Sequence, residues 1–272
     1  MVALSNEIEL LKDGNITICY IKDFSENLKK HIKEVLTIVC YGPTINNPED
    51  IKYYPFEDTI KSFKERYDSK SEDTKKGMLG ELIAHILINL YADNLKVFTP
   101  YFNKEESSIR KGFDILYIDT LQNCIRYGEV KSGEKAKDKT VSQSNNGLLY
   151  NAESDLKDKL TDSLRTVLWD NAKYDANMYM QNIKNRQALN LHELLQKDRN
   201  SHISNDKKVI LISVCFSDIN DRIDLQETKS FYARHCRRNN FSETILFSIQ
   251  KSTFQKIEHF FNEEYEKCNA LH

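Results

Sequence analysis

Residues 112–133 read GFDILYIDTLQNCIRYGEVKSG, and this stretch decides the fold. It contains two short apolar runs, Phe113–Ile118 and Cys124–Val130, on either side of a polar turn at residues 119–123. Two such runs joined by a short turn are typical of adjacent antiparallel strands. The sequence therefore predicts a β-hairpin near the middle of the chain.

Each predicted strand carries an acidic residue that an apolar strand does not need. Asp114 lies near the start of the first strand and Glu129 near the end of the second, so antiparallel pairing brings them side by side. Because side chains alternate along a strand, Lys131 projects on the same side as Glu129. Mg²⁺ prefers carboxylate oxygens as ligands, and a lysine beside the metal can hold a water molecule or a phosphate. We therefore predict a metal site at an open rim of the sheet.

The tripeptide at residues 129–131 carries little weight by itself. An acidic residue two positions before a lysine occurs seven times in the chain. Only the copy at Glu129 ends an apolar strand and has a second strand-borne acid, Asp114, 15 residues upstream. The alternative that remains open is an ordinary cross-strand ion pair at a solvent-facing strand end.

The segments around the hairpin predict an α/β fold with a mixed central sheet flanked by helices. They are a helix at 75–92, a strand at 97–102, a helical stretch at 153–198 that breaks near residue 190, a buried strand at 209–216, a strand at 244–249 and a final amphipathic helix. Residues 132–147 are polar and rich in lysine, and we expect them to be weakly structured. They either fold over a substrate or are simply solvated.

Residues 1–70 read as an N-terminal α/β extension without evident chemistry. Alternating apolar residues at 16–20 predict a strand, and a capping sequence that starts at Asp23 predicts a helix that ends before Gly42. A shorter helix follows near residues 60–67. We therefore predict a boundary that separates an extension at 1–70 from a functional domain at 71–272.

The charge of the chain is balanced, with 39 Lys and Arg against 41 Asp and Glu and a net charge of −2. This balance excludes a histone-like polycation but allows a local basic groove. The most basic segment, residues 231–240, contains Arg234, Arg237 and Arg238. These three arginines are candidates for phosphate contacts, and pairing with neighbouring acids is their open alternative. Lys111 beside the hairpin is a further candidate, and a solvated loop is its open alternative.

Cysteine usage and hydropathy indicate the cellular compartment of the protein. The six cysteines are scattered and form no CxxC pair or Cys/His cluster, which favours free thiols over disulfides or zinc. No apolar run approaches the roughly 18 residues that a membrane span needs. The sequence therefore predicts a cytoplasmic protein that has no membrane partner.

The order of elements from about residue 75 to 216 resembles the PD-(D/E)XK nuclease superfamily, whose core runs helix–strand–strand–strand–helix–strand. Asp114 matches the single Asp of that superfamily, Glu129-Val130-Lys131 matches its tripeptide, and Glu81 matches a helix-borne acid that often completes its metal site. The resemblance implies a restriction-endonuclease-like fold and hydrolysis of phosphodiester bonds. It also implies that Asp114, Glu129 and Glu81 bind Mg²⁺ or Mn²⁺ and that Lys131 orients the attacking water.

Three segments together show a narrower resemblance, to the HamA family of nuclease subunits in the Hachiman antiphage defence system. They read GMLGELIAHILINLY at 77–91, KGFDILYID at 111–119 and RYGEVKSG at 126–133. This resemblance implies DNA as the target and a helicase as a partner protein. A catalytically inactive nuclease-fold module that binds nucleic acid or protein is the alternative. No Walker loop, HExxH or GxSxG motif supports another α/β metal or phosphoryl-transfer enzyme.

Overall fold

A seven-stranded mixed sheet lies at the centre of the protein, as shown by a computed structural model. The structure describes residues 7–42, 45, 48–102, 112–162, 165–182, 191–252 and 254–270. Its strands are β1 (Ile8–Asp13), β2 (Ile16–Ile21), β3 (Leu95–Val97), β4 (Ile115–Asp119), β5 (Cys124–Glu134), β6 (Lys208–Phe216) and β7 (Glu243–Lys251). The helices are α1 (Glu26–Tyr41), α2 (Pro48–Tyr53), α3 (Phe56–Asp68), α4 (Glu72–Tyr91), α5 (Val141–Thr161), α6 (Thr166–Asn182), α7 (Leu191–Ser201), α8 (Leu225–Arg238) and α9 (Gln255–Ala270).

The strand order across the sheet is β1-β2-β7-β6-β5-β4-β3. The four strands β2, β7, β6 and β5 run parallel to one another. On one side β1 pairs antiparallel with β2, and on the other β4 pairs antiparallel with β5 and β3 antiparallel with β4. Helices α1, α3, α4 and α9 form an apolar layer on one face, and α5 to α8 form the layer on the other. The predicted mixed α/β fold of the restriction-endonuclease type is confirmed.

The predicted buried strand, β6, is the central strand of the sheet, and the predicted hairpin of β5 and β4 lies beside it. β4 pairs antiparallel with β5, and β6 pairs parallel with β5 along its whole length. Alternate residues of β6 enter opposite layers: Ile210 and Ile212 pack towards α4, and Val209 and Leu211 pack towards α5. This strand is buried on both faces because parallel strands need helices on both sides. Its near-continuous apolar sequence follows from that position.

The N-terminal segment contributes strands to the same sheet. β2 pairs parallel with β7, and β1, which the sequence pattern did not predict, pairs antiparallel with β2. The predicted helices are confirmed as α1 and α3, but the N-cap of α1 is Ser25 and not Asp23. The Ser25 hydroxyl accepts a hydrogen bond of 3.2 Å from the N–H of Leu28. The predicted boundary at residue 70 stays a prediction.

Two expectations for the segments beside the hairpin were wrong. Residues 132–134 and 141–147 form regular secondary structure: β5 continues to Glu134 because β6 offers hydrogen-bond partners that far, and α5 starts at Val141 with a capping box of Thr140 and Gln143. The strand expected at 97–102 ends at Val97. Beyond it, the backbone N–H groups at 101 and 102 bond to the end of α1. The helical break expected near residue 190 lies outside the described residues.

The six cysteines are free, and four of them are buried. No helix within the described part of the chain combines the length and the apolar character that a membrane crossing requires.

Gly80 allows α4 to approach β5 closely. A Cβ atom at this position would lie 2.4 Å from the Cβ of Ser132 and 2.6 Å from its Oγ. The Ser132 hydroxyl also donates a hydrogen bond of 3.0 Å to the carbonyl of Lys76, one turn earlier on α4. This contact fixes how deeply the helix that carries Glu81 sits against the strand that carries Glu129.

We predict that Gly80→Ala destabilises the protein by about 1–3 kcal/mol, the usual cost of overpacking. Alanine is favoured over glycine in a helix by about 1 kcal/mol, but here the clash is with a Cβ next to the backbone, which cannot swing away. Urea denaturation measures the change. In the control, Gly77→Ala on the same helix, the new Cβ meets no heavy atom within 4 Å and is expected to stabilise by about 0.4–1 kcal/mol. Equal stability of the two variants would contradict the close contact.

Candidate metal centre

Asp114 and Glu129 lie next to each other, as the hairpin predicted. The strand register pairs Ile115 with Gly128, which places Asp114 opposite Glu129. Asp114 Oδ2 accepts a hydrogen bond of 2.8 Å from the backbone N–H of Val130. This bond holds the Asp114 carboxylate against β5 and leaves its second oxygen for other partners.

Two lysines contact Glu129, one at each carboxylate oxygen. Lys131 Nζ lies 2.9 Å from Glu129 Oε1 and 2.7 Å from Asp155 Oδ2. Lys159 Nζ lies 2.5 Å from Glu129 Oε2 and 3.0 Å from Asp114 Oδ1. A single ammonium, that of Lys159, therefore bridges the two carboxylates of the hairpin. We refer to Asp114, Glu129, Lys131, Asp155 and Lys159 as the carboxylate–lysine cluster.

Glu129 does not lie at an open rim of the sheet, which corrects the expectation from the sequence. The residue is fully buried, at 0% exposure. It lies on a central strand that is paired on both sides, and α5 covers its face of the sheet. A carboxylate in such a position must be paired, because an isolated buried charge is very costly. Substitutions at Glu129 therefore affect stability as well as chemistry.

The charges of the cluster shift the pKa values of its members. Burial and the nearby Asp114 charge raise the pKa of Glu129 to about 7, against the opposing effect of Lys159 and Lys131. Burial acts to lower the pKa of the Lys159 ammonium, but the charges of Asp114 and Glu129 outweigh it and raise that pKa. Burial also acts to lower the pKa of Lys131, but the neighbouring acids, chiefly Glu129, outweigh burial and raise that pKa. Both lysines of the cluster are therefore charged at neutral pH.

Glu81, the third predicted metal ligand, lies within electrostatic reach of the cluster. Its side chain is 18% exposed, and burial together with the Asp114 and Glu129 charges raises its pKa well above the usual value. His85 Nε2 is 4.0 Å from Glu81 Oε1, beyond hydrogen-bonding distance. Burial lowers the pKa of His85 to about 4, so the ring is neutral at physiological pH.

The donor atoms of the cluster suit a hard divalent cation. Asp114 Oδ1 and Glu129 Oε2 converge on one positive charge, the Lys159 ammonium, at 3.0 and 2.5 Å. Mg²⁺ is commonly held by one or two carboxylates and completes its shell with water. Asp114 and Glu129 therefore fit such an ion. Among the residues that the structure describes, no group of three or more His, Cys, Asp or Glu side chains is arranged to hold a metal, so Glu81 stays a predicted ligand.

Asp155 and Lys159 are cluster residues that the sequence interpretation missed. Both lie on α5, four residues apart, and therefore share one face of the helix. One signal was available: α5 leads from β5 to a parallel strand, and a crossover helix packs on the sheet that it connects. An acid and a lysine four residues apart are, however, common on exposed helix surfaces, and nothing else in the sequence marks this pair.

The residues predicted to contact nucleic acid have different surroundings. Lys111 lies outside the described residues. Arg234 and Arg237 are exposed on α8, and Arg234 lines a groove of about 690 Å³ between α8 and the N-terminal end of α5. Arg238 instead pairs with the buried Glu153, its Nε 2.9 Å from Glu153 Oε1.

Glu153 fixes α8 to α5. The residue is 2% exposed, accepts a hydrogen bond of 2.7 Å from Asn240 Nδ2 and lies 3.0 Å from His235 Nδ1, in addition to its contact with Arg238. Burial acts to raise the pKa of Glu153, but the hydrogen bonds from His235 and Arg238 outweigh burial and lower the pKa to about 2. Arg238 therefore helps to hold this network together, and its contact with nucleic acid stays a prediction.

Comparison with known proteins identifies a family that covers the chain. A family model described as HamA matches residues 4–265, which is nearly the whole chain. No curated protein sequence matches the chain. The matched region includes the hairpin, the carboxylate–lysine cluster and the arginines of α8.

We predict that Glu153 makes stability depend on acid pH. Its pKa falls from 4.5 to about 2 on folding, so its contribution is fully present above pH 4.5 and is lost as the pH falls towards 2. Glu153→Gln should therefore lower the melting temperature at pH 7 and flatten its decline between pH 4.5 and pH 2. The control is Asp158→Asn, an exposed carboxylate on the same helix. An acid-unfolding profile of Glu153→Gln as steep as that of the wild type would contradict the network.

Proposed function

The chain belongs to the HamA family, the nuclease-like subunit of the Hachiman defence system, and on this premise we propose that it is a metal-dependent nuclease. Its reaction is the hydrolysis of phosphodiester bonds in DNA during antiphage defence. Mg²⁺ or Mn²⁺ is the proposed cofactor, and the cytoplasm is the proposed location.

The observation that carries this proposal is the convergence of two carboxylate oxygens on one cation. Asp114 Oδ1 and Glu129 Oε2 contact the same ammonium at 3.0 and 2.5 Å, and Lys131 holds the other oxygen of Glu129. Hard divalent cations bind to such oxygens, and a fixed positive charge beside them suits a reaction at phosphate. A solvent-facing cross-strand ion pair would not need Glu129 to be buried.

In the proposed mechanism, the carboxylates and Lys131 have different tasks. Asp114 and Glu129 would hold the cation, with Glu81 as the third ligand, and Mg²⁺ would supply the charge that makes a water acidic and offsets the charge of the phosphate. Lys131 is held between Asp155 and Glu129, where its ammonium can orient the attacking water. Burial of Glu129 reduces screening by solvent and strengthens these interactions.

DNA and a helicase are the proposed partners. HamA acts in a defence system with partner subunits, which supports a companion protein. The exposed Arg234 and Arg237 on α8, with Lys111, are the proposed phosphate contacts on this chain. A nuclease that cut at all times would damage its host, so the proposed companion also restrains cleavage.

A second candidate function is a catalytically inactive nuclease-fold module that binds nucleic acid or a protein partner. The observation that favours it is the Lys159 ammonium, which already contacts both Asp114 and Glu129. A cluster that is complete without a metal could serve the fold alone. Divalent-metal binding distinguishes the two functions, since only the enzyme requires it.

We predict that Lys131→Ala lowers Mg²⁺-dependent cleavage of plasmid DNA by at least about 100-fold, because its role lies in the transition state. It should change the Mg²⁺ affinity little, since every proposed ligand is kept. Glu129→Gln should lose both metal binding and cleavage. The matched control is Glu134→Gln at the exposed end of the same strand, which should behave as the wild type. Calorimetry, cleavage assays and melting temperatures measure these effects.

Two results would decide against the nuclease assignment. Full cleavage by a folded Lys131→Ala variant would contradict the role of the cluster. A wild-type protein that binds no Mg²⁺ or Mn²⁺ and cuts neither DNA nor RNA would favour the binding module.

We predict that the double variant Arg234→Ala, Arg237→Ala flattens the salt dependence of DNA affinity by about two units of slope, roughly one per lost phosphate contact. Arg238 is kept, because its removal would also unpair the buried Glu153. The control is Lys157→Ala, an exposed cation on α5. Fluorescence anisotropy across a range of KCl concentrations gives the slopes, and an unchanged slope would refute the proposed contacts.

A further inference from the structure

We propose that Lys159 is an internal counter-ion that occupies the cation position between Asp114 and Glu129 and must leave it before a divalent cation binds there. The inference rests on the proposed function and concerns the regulation of the same site. It makes metal loading an exchange of one cation for another, and not the filling of a vacant site.

The geometry makes the two cations exclusive. Lys159 Nζ lies 3.0 Å from Asp114 Oδ1 and 2.5 Å from Glu129 Oε2. Mg²⁺ binds oxygens at about 2.0–2.1 Å, so an ion bound to the same two atoms would lie in the space that the ammonium fills. Repulsion between like charges at such a distance in a buried site adds to the steric conflict.

Lys159 can leave this position without movement of its helix. It lies in the last turn of α5, and its side chain is 16% exposed, so a route to solvent exists. A lysine ammonium is carried on a flexible four-carbon stem. Asp155, one turn earlier on the same face and half exposed, offers a carboxylate within reach of the released ammonium.

Lys131 does not share this role. Its ammonium contacts Glu129 Oε1 and Asp155, whereas Asp114 Oδ1 is contacted by Lys159. It therefore lies beside the bridging position and not in it. Departure of Lys159 leaves Lys131 in place as the fixed positive charge of the site.

The first test compares Lys159→Met with the wild type and with Lys157→Met. Methionine keeps the length of the stem and removes the charge, and Lys157→Met removes an equal charge from the exposed face of the same helix. We expect Mn²⁺ to bind Lys159→Met about tenfold or more tightly, because no internal cation competes. Lys157→Met should bind Mn²⁺ as the wild type does. Calorimetric titration with MnCl₂ gives the affinities.

Stability provides a second readout of the same variants. Without metal, Lys159→Met leaves Asp114 and Glu129 without their bridging cation, so its melting temperature should fall in EDTA. Mn²⁺ should restore that loss and stabilise Lys159→Met more than the wild type. A folded Lys159→Met that binds Mn²⁺ no more tightly than the wild type, or gains no more stability from it, would overturn the inference.

The wild-type protein provides a test that does not depend on folding of a variant. Reductive methylation followed by mass spectrometry reports the accessibility of each lysine. We expect labelling of Lys159 to rise severalfold when EDTA is replaced by MnCl₂, while labelling of the exposed Lys157 stays constant. Equal labelling of Lys159 in the two buffers, with Mn²⁺ shown to be bound, would overturn the exchange.

These results also separate the inference from the proposed nuclease function. Metal exchange at Lys159 without any cleavage would support the inference and contradict the nuclease. Metal-dependent cleavage by a wild-type protein whose Lys159 never becomes accessible would support the nuclease and contradict the inference. Absence of metal binding in every variant would contradict both.

Discussion

The burial of the Glu129 carboxylate in the middle of the sheet is the constraint on which the rest of the structure depends. An uncompensated charge in such a place costs several kcal/mol, so its two oxygens must each meet a positive group. One ammonium comes from the same strand and the other from α5. The strand must therefore continue past Lys131, and the helix must dock with Lys159 aimed at the sheet. The ionic site and the packing of this layer are determined together.

The opposite layer is joined to the same strand by steric fit, beside an ion pair of Lys76 on α4 with Glu134 on β5. Gly80 on α4 has no Cβ, and the side chain of Ser132 fills the space that a Cβ would need. Glu81 is the next residue on that helix, so its height above the sheet follows from this contact. Gly80 on the helix and Ser132 on β5 thus set the position of Glu81, on one side of the sheet, relative to Glu129 on the other.

The sequence predicted the hairpin and its acids because alternation and strand pairing are local rules. Asp114, Glu129 and Lys131 could be placed relative to one another from one turn and the two-residue period of a strand. Lys159 could not, since its contact with Glu129 spans 30 residues and depends on the docking of α5. The burial of Glu129 escaped prediction for the same reason, because it depends on β6 and α5. Likewise, Arg238 in a basic segment gives no sign that Glu153, 85 residues away, is its partner.

The pairing of β2 with β7 has a consequence for the order in which the chain can fold. Ile16 is in register with Leu246, so this part of the sheet joins strands that are far apart in sequence. During synthesis from the N-terminus, β2 emerges early and finds its parallel neighbour only after β7 has left the ribosome. The hairpin and α5, which carry the cluster, are complete well before that time. Closure of the sheet is therefore a late event, and contacts of such long range are typical of slow folding.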